Sequence, residues 1–307
     1  MSAPWLIAVA SLLFAAMGVC VKFASEHYGS GEIVMYRGLV GALMIGVMSR
    51  WRGESLRTAV PAQHFLRSLT GVVALCLWFH AIGALPLATA MTLNYTSSLW
   101  LALFLLGGAA ALGTRPVDAR LVFAVLAGFV GVVLVLRPTL GQDQLWLGLM
   151  GLLSGMVSAA GYLQVTALAR AGESDSRIVF YFSIGGVLGG ATLSMLTGWH
   201  AHSWLGIGWL LAVGVLATAA QLMLTGAYAR GPTLVNASLQ YLGIGFSFMF
   251  GVLLFDDRIT WVAVVGMALI VGAGIGSTML RRPAGSAVPT HRKPILTQPN
   301  VQRLPNT

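Results

Sequence analysis

Ten long apolar stretches follow one another along the chain, and short segments that hold most of the charged residues separate them. A transmembrane helix needs roughly 17–25 mostly apolar residues, and the stretches fall in or close to that range. The pattern therefore predicts an all-α integral membrane protein with ten transmembrane helices. We number the predicted segments 1 to 10 in chain order; they cover residues 5–23, 33–49, 66–85, 87–112, 120–136, 146–168, 178–196, 204–228, 232–255 and 260–280.

The composition agrees with a membrane protein. Of the 307 residues, 57% are hydrophobic and only 9% are charged, whereas about a quarter of the residues in a soluble domain are charged. The net charge of +9 comes from basic residues that stand singly or in small groups between apolar runs, which argues against a nucleic-acid partner. Cys20 and Cys76 lie within apolar segments and form neither a disulfide framework nor a metal motif.

The basic residues predict the orientation of the chain, because cytoplasmic loops of membrane proteins are enriched in Lys and Arg. With a cytoplasmic N-terminus, 14 basic residues, including Arg67, fall on the cytoplasmic side, and four fall on the other side: Lys22, Arg37, Arg137 and Arg258. We therefore expect a bacterial inner-membrane protein with both termini in the cytoplasm. Residues 283–307 are proline-rich without apolar periodicity and are expected to form a disordered cytoplasmic tail.

Two pairs of short stretches repeat at nearly the same offset. "GEIVMYRGL" at 31–39 is similar to "SRIVFYFSI" at 176–184, and "LPLATAMTLNYTSS" at 85–98 aligns with "GPTLVNASLQYLGI" at 231–244. The offset predicts a first five-helix repeat over residues 1–137 and a second over 138–282. Because five is odd, the second repeat must enter the membrane with the opposite orientation. Inverted repeats of this kind are common in secondary transporters, whose substrate sites lie between the halves.

The ten segments, the five-plus-five repeat and the proline at the start of segments 4 and 9 resemble the drug/metabolite transporter superfamily, and within it the EamA-type ten-helix exporters. The aromatic stretches "LWFHAIGALP" at 77–86 and "NYTSSLW" at 94–100 resemble its aromatic amino acid exporter branch. The resemblance covers roughly residues 5–280 and implies transport by alternating access. The small four-helix relatives carry a Glu in their first helix for proton-coupled cation export, whereas segment 1 here has none.

Polar residues at helical spacing predict which segments line a path. Thr218, Gln221, Thr225 and Tyr228 share one face of segment 8, and polar side chains within a span tend to turn away from lipid. Similar faces in other segments predict that segments 1, 3, 4, 6, 8 and 9 surround a cavity, with 2, 5, 7 and 10 outside. The resemblance implies the same partition.

Seven residues are candidates for substrate binding. Tyr95 and Tyr241 occupy equivalent positions in the repeat, Gln221 lies on the polar face of segment 8, and His80 lies deep in a span, where it could donate to a substrate or relay a proton. The aromatic candidates could equally pack in the core or against lipid, and His80 could be a structural histidine. The full set is Trp78, His80, Tyr95, Trp100, Tyr162, Gln221 and Tyr241.

The favoured function is the export of small metabolites, most of all aromatic and neutral amino acids, by a monomeric uniporter. All nine acidic residues lie at segment ends or in loops, whereas a carboxylate-based antiporter needs one within a span. A drug or sugar-nucleotide transporter, a proton-coupled exporter and a channel stay open as alternatives. No HExxH motif, membrane aspartate pair or Ser–His pair suggests an enzyme. No metal or other cofactor is expected, since His200 and His202 lack nearby carboxylates in the sequence.

Overall fold

The computed structural model describes residues 3–111, 119–136, 142–232, 236, 239–257 and 260–280. These ranges contain eleven α-helices and no β-strand. We number the helices in chain order: α1 Ala3–Ala24, α2 Ser30–Arg52, α3 Pro61–Ala84, α4 Leu87–Tyr95, α5 Ser97–Ala111, α6 Ala119–Leu136, α7 Gln142–Arg170, α8 Asp175–Thr197, α9 Trp204–Arg230, α10 Leu242–Phe255 and α11 Trp261–Leu280.

These helices confirm the predicted all-α membrane fold. Six are long and apolar enough to cross a membrane: α1, α2, α3, most of α7, α8 and α9. Shorter apolar helices at Leu126–Val135, Leu242–Phe255 and Trp261–Ala273 fall in predicted segments 5, 9 and 10. The count of ten spans and the repeat boundaries stay predictions. The tail at 283–307, together with Ser238, Arg137 and Arg258, lies outside the described residues.

Segment 4 was predicted as one helix, but it is interrupted at Thr96. Helix α4 ends at Tyr95 and α5 begins at Ser97. The Thr96 N–H keeps the regular helical bond to the Thr92 carbonyl at 3.1 Å and also makes a tighter, three-residue contact with the Leu93 carbonyl at 3.3 Å. The Thr96 hydroxyl also donates to Leu93 O at 2.6 Å. Local bonds from hydroxyl side chains compete with the regular helical ladder. Part of the polar cluster in this segment therefore serves the interruption itself.

The equivalent interruption occurs in segment 9. The N–H of Gly243 bonds the Gln240 carbonyl at 2.9 Å, and the N–H of Ile244 bonds the Tyr241 carbonyl at 3.0 Å. These are three-residue turns of the kind that start or tighten a helix. Helix α10 accordingly begins at Leu242. The turn follows Tyr95 in segment 4, whereas in segment 9 it consists of Gln240 and Tyr241.

Pairs of helices pack closely in a symmetric scheme. The most extensive contacts join α1 with α9, α2 with α8, α3 with α7 and α6 with α11, and α4 packs on α10. Each predicted segment has a counterpart five positions away in the other repeat. When the counterparts are exchanged, the α2–α8, α6–α11 and α4–α10 pairs map onto themselves, and the α1–α9 and α3–α7 pairs map onto each other. Backbones approach closely in the α2–α8 pair, where a Cβ on Gly38 would lie 2.6 Å from the carbonyl oxygen of Ser183. Small residues permit such contacts between helices in lipid.

Buried carboxylates tie the connecting loops to the helix ends. Glu173, between α7 and α8, accepts hydrogen bonds from Arg177 Nη1 at 2.9 Å and the Thr58 hydroxyl at 2.8 Å, and lies 3.2 Å from His64 Nε2. Burial raises the pKa of the Glu173 carboxyl, but these hydrogen bonds outweigh it and hold the pKa below its ordinary value of 4.5. The ionised carboxylate therefore links the α2–α3 loop to the start of α8.

The start of α2 is tied to the α8–α9 loop in an analogous way. Glu32 Oε1 accepts from the backbone N–H of His200 at 3.0 Å, and Glu32 Oε2 lies 2.6 Å from His200 Nδ1. His202 Nε2 lies 2.7 Å from the Tyr36 hydroxyl. Within the described part of the chain, no three metal-ligating side chains come together. Both loop histidines contact α2, His200 through Glu32 and His202 through Tyr36. The expectation that no carboxylate lies near them is therefore wrong for His200, because Glu32 is close in space but distant in sequence.

Candidate functional site

A small cavity lies at the centre of the helix bundle. It is about 50 Å³ in volume and is lined by residues of α1, α3, α4, α7, α8 and α9 together with Gln240. This volume holds a few water molecules, whereas ligand pockets measure roughly 300–1,000 Å³. The helices must therefore separate before a metabolite can enter.

The walls of the cavity combine aromatic rings with polar groups. The aromatic residues are Phe14, Trp78, Tyr95, Tyr162 and Phe182. The polar residues are Arg67, Asn94, Ser158, Gln221 and Gln240. As expected from the polar faces, segments 1, 3, 4, 6, 8 and 9 all contribute. Segment 7, expected outside, also contributes through Phe182.

Two arginines within the spans are the most unusual feature of this region. Arg67, on α3, is only 5% exposed and lines the cavity. Arg37, on α2, is 3% exposed, and its Nη2 lies 3.5 Å from Gln221 Oε1. Both guanidinium groups lie over the ring of Phe182, with their central carbons 4.9 Å (Arg37) and 4.1 Å (Arg67) from its centroid. One phenyl ring thus holds two cations.

Gly71 makes the position of Arg67 possible. A Cβ at Gly71 would lie 2.5 Å from Phe182 Cε2 and closer still to Arg67 Nη1. Any larger residue would displace the guanidinium or the ring that supports it. The glycine, one turn along α3 from Arg67, therefore creates the space in which the cation sits.

The charge of this pair is not balanced by nearby acids. Among the described residues, no carboxylate lies within ion-pair distance of Arg37 or Arg67. The two guanidinium carbons are at most about 9 Å apart, a separation at which unit charges repel by roughly 2 kcal/mol at an effective dielectric constant of about 20. Ionisable residues within membrane spans are costly and are retained chiefly for function.

Several polar atoms at the cavity have no partner. Arg67 Nε, Trp78 Nε1 and the Tyr95 hydroxyl, all on residues that line the cavity, are buried without a hydrogen bond. Arg37 Nε is unpaired as well, but Arg37 does not line the cavity and contacts its wall through Gln221. The two guanidinium Nε–H groups and the indole N–H can only donate. A buried donor without an acceptor costs about 1–3 kcal/mol. The cavity is therefore suited to a ligand that supplies acceptors.

Other polar groups of the cavity are already paired with one another. The Tyr162 hydroxyl donates to Gln240 Oε1 at 3.1 Å, and Gln240 Nε2 donates to the Tyr228 hydroxyl at 2.8 Å. The rings of Tyr162 and Tyr228 stack with centroids 4.9 Å apart. Asn94 Nδ2 donates to Ser154 Oγ at 3.0 Å, which joins α4 to α7. This network holds the polar side chains of α4, α7 and α9 and Gln240 together around the cavity.

The interrupted segments 4 and 9 meet beside the cavity. The Tyr241 hydroxyl and the Ser98 hydroxyl are hydrogen-bonded, and the ring of Tyr95 packs against Gly243, where a Cβ would lie 2.7 Å from Tyr95 Cζ. Each tyrosine thus contacts the other segment just beyond its interruption. Tyr95 lines the cavity, whereas Tyr241 is buried next to it.

The structure brings together most of the candidate residues. Trp78, Tyr95, Tyr162 and Gln221 line the cavity, whereas Tyr241 does not line it and is hydrogen-bonded to Ser98.

Two candidates lie elsewhere. Trp100 packs edge-on against Phe129, with ring centroids 4.9 Å apart, in a separate apolar cluster. His80 is exposed on the side of α3 away from the cavity, where it lines an apolar groove of about 760 Å³ against α8. Residues two apart on a helix point about 200° away from each other. Trp78 and His80 therefore could not both face the cavity.

Arg37, Arg67 and Phe182 were missed in the sequence. The two arginines were counted as flanking charges on opposite sides of the membrane, but both are buried within helices. When these two arginines are left out, 13 basic residues remain on the predicted cytoplasmic side and 3 on the other side. The orientation inferred from the basic residues is therefore unchanged. Their positions inside predicted segments 2 and 3 could have identified them as candidates, because a charged residue within a span indicates a functional site.

Comparisons with known proteins agree with a transporter. The sequence profile of the EamA-like transporter family matches residues 1–137. The chain is 29% identical over 281 residues to the "Pseudopaline exporter CntI" of Pseudomonas aeruginosa, covering 90% of this chain and 96% of that protein. It is 23% identical over 275 residues to the "Riboflavin transporter" of Rhizobium johnstonii, covering 88% of each.

The fold also has a counterpart among solved structures. One of them, described as "Crystal structure of protein", superposes with a TM-score of 0.65 at 19% sequence identity and covers 92% of this chain and 99% of its own. At that identity the likeness concerns the arrangement of the helices alone.

Proposed function

Because the chain is an EamA-type protein of the drug/metabolite transporter superfamily, we propose that it exports small carboxylate-bearing metabolites, amino acids among them, by alternating access through the central cavity. The relatives named above are transporters of small molecules, which supports transport over enzymatic chemistry. The observation that carries the proposal is the small cavity between segments of both predicted halves, lined by a buried guanidinium and by unpaired donors.

Alternating access accounts for the small volume of the cavity. A metabolite does not fit in about 50 Å³, so the helices around it must open toward one side of the membrane at a time. The same helix pairs result when the two predicted repeats are exchanged. This symmetry supports two open states of similar shape, one toward each side of the membrane. Inverted repeats provide such a pair of states by exchanging the conformations of their halves.

A uniport mode fits the side chains at the cavity. None of the described residues that line it is an Asp, Glu or His. His80, the candidate proton carrier, instead lines the apolar groove between α3 and α8, which we call the lateral groove. An anion that leaves the cell is driven by the inside-negative membrane potential, by about 2.3 kcal/mol per charge per 100 mV. Export of anions therefore needs no coupled proton.

Counterflow in proteoliposomes tests the proposal. Purified protein is reconstituted, the vesicles are loaded with an unlabelled candidate, and uptake of the labelled compound is followed. We expect a transient accumulation above equilibrium for at least one amino acid or related carboxylate in a panel of aromatic, neutral and acidic compounds. Release of chemically altered product would indicate an enzyme, and continuous ion conductance without counterflow would indicate a channel.

The proposal also includes a bacterial inner-membrane location, a monomeric unit and cytoplasmic termini. Ser203, Ser55 and Ser174 are exposed in loops, so cysteines at these positions report orientation. An impermeant thiol reagent added to whole cells should label Ser203→Cys but neither Ser55→Cys nor Ser174→Cys. Labelling of all three from one side would contradict the orientation.

A further inference from the structure

We propose that the central site selects substrates with two anionic oxygen groups, such as dicarboxylates, and that Arg37 and Arg67 are the residues that recognise them. The inference rests on the proposed transport function and extends it by naming the charge class of the substrate. It moves the expectation from neutral amino acids to acidic compounds.

The charge at the site is the first argument. Two guanidiniums are buried over one phenyl ring. Arg67 lines the cavity, and Arg37 contacts the lining residues Phe182 and Gln221. Among the described residues neither arginine has a carboxylate within ion-pair distance. A zwitterion would pair one guanidinium and bring a further cation into the cavity. A single carboxylate would neutralise half of the charge. A compound with two carboxylates neutralises both cations, each in the bidentate geometry that a guanidinium offers.

The unpaired hydrogen-bonding atoms give an independent argument. Arg37 Nε, Arg67 Nε and Trp78 Nε1 are buried without partners, and all three are donors only. Two carboxylate groups supply several acceptor positions to such donors. A cationic or donor-rich ligand would leave these atoms unpaired and would add repulsion.

The arginines are held in place without a ligand, as a binding site requires. The phenyl face of Phe182 attracts both guanidiniums, and Gly71 leaves room for Arg67. A Cβ at Gly161, on the facing helix α7, would lie 3.6 Å from Arg67 Nη1, so this side is in ordinary contact as well. The aromatic walls formed by Trp78 and Tyr162 can then cover the apolar part of the substrate.

A charge series on one framework tests the inference. The probes are phenethylamine, phenylalanine, 3-phenylpropionate and benzylsuccinate, which near neutral pH carry about +1, 0, −1 and −2 charges on a similar aromatic skeleton. Binding to the purified full-length protein in nanodiscs is measured by isothermal titration calorimetry. We expect affinity to rise along the series, with benzylsuccinate at least about tenfold tighter than phenylalanine.

Variants assign the preference to the two arginines. Arg37→Gln and Arg67→Gln should each weaken benzylsuccinate binding by about tenfold or more and reduce its advantage over 3-phenylpropionate. Arg67→Lys keeps the charge without the planar fork and should fall between wild type and Arg67→Gln. Arg50→Gln, on an exposed part of α2, is the matched control and should bind as wild type does.

Equal affinity for all four probes, no saturable binding of the anionic probes, or a preference for phenethylamine or phenylalanine would overturn the inference. An unchanged charge preference in both glutamine variants would also overturn the inference. If Arg67→Gln does not fold, an unchanged charge preference in Arg67→Lys would overturn it in the same way. The two proposals fail separately. Charge-selective binding without counterflow removes the transport function and leaves the site, whereas counterflow without charge preference removes the substrate class and leaves transport.

Discussion

Lys22 Nζ lies 3.3 Å from Asp257 Oδ1, and this ion pair joins the end of α1 to the residues that follow α10. The other carboxylate oxygen of Asp257 accepts the N–H of Leu87 at 2.8 Å, at the start of α4. Lys22 also approaches the Leu85 carbonyl at 3.3 Å. One carboxylate therefore connects helices of both predicted halves near the Pro86 turn.

We predict that the two partners of this pair are unequal in their effect on stability. Asp257→Ala loses the ion pair and the bond to the Leu87 N–H, whereas Asp257→Asn loses the charge interaction alone. Lys22→Ala loses the ion pair together with the contacts to the Leu85 carbonyl and the Phe255 ring. The melting temperature of the purified protein should therefore fall further for Asp257→Ala than for Asp257→Asn, by about 2–4 °C. In the double variant Lys22→Ala/Asp257→Ala, the loss should be smaller than the sum of the single losses. Equal melting temperatures for Asp257→Ala and Asp257→Asn would show that the Leu87 contact contributes nothing.

The Glu173 cluster predicts a pH-dependent contribution to stability. The pKa of Glu173 lies below its ordinary value of 4.5, so the ionised carboxylate stabilises the folded protein above that pH and loses this effect as the pH falls through the lower folded-state pKa. Glu173→Gln should therefore melt below wild type at pH 7, and the gap should close as the pH falls below about 4.5.

Melting curves from pH 7 to pH 3.5 provide the measurement. Glu54→Gln, an exposed carboxylate in the same α2–α3 loop, should melt like wild type throughout. A gap between wild type and Glu173→Gln that widened toward low pH would have the wrong sign and would contradict the assignment.

The placement of His80 and Trp78 on opposite faces of α3 predicts opposite effects on transport. His80→Leu should retain most of the wild-type rate, because this side chain lies outside the cavity. Trp78→Phe keeps an aromatic ring and removes the unpaired indole N–H at the cavity, and it should lower transport efficiency by about tenfold. Both are compared at matched membrane levels. Loss of transport in His80→Leu at a normal membrane level would contradict its placement outside the route and would restore His80 as a candidate for substrate or proton handling.

Apolar periodicity was enough to predict the helices, since each long apolar run corresponds to helical structure wherever its residues are described. The interruption at Thr96 was not predictable from the apolar content, because the contacts there are made by polar side chains: the Thr96 hydroxyl donates to the Leu93 carbonyl, and the Ser98 hydroxyl bonds the Tyr241 hydroxyl of another segment. Helical spacing correctly grouped Gln221 with the cavity. The same rule, applied to Trp78 and His80 at a spacing of two, would have placed His80 on the other face.

The arginines were missed for a different reason. The rule that relates basic residues to the cytoplasmic side treats every arginine near a segment end as a loop charge, whereas Arg67 is a buried part of α3. Its contacts with Phe182, about 115 residues away in the chain, come from the packing of α3 on α8. No local pattern in the sequence contains that contact.

The most direct test of the central claim asks whether substrate passes through the cavity, and two neighbours on α3 provide it. Ala74 lines the cavity, whereas Val73 lines the lateral groove. In a protein with Cys20 and Cys76 replaced by serine, Ala74→Cys and Val73→Cys are treated with a methanethiosulfonate reagent, and counterflow is then measured. We predict that modification abolishes transport in Ala74→Cys, that the transported compound slows this inactivation, and that Val73→Cys keeps its activity. Undiminished transport in fully modified Ala74→Cys, or equal inactivation of both variants, would contradict a route through the central cavity.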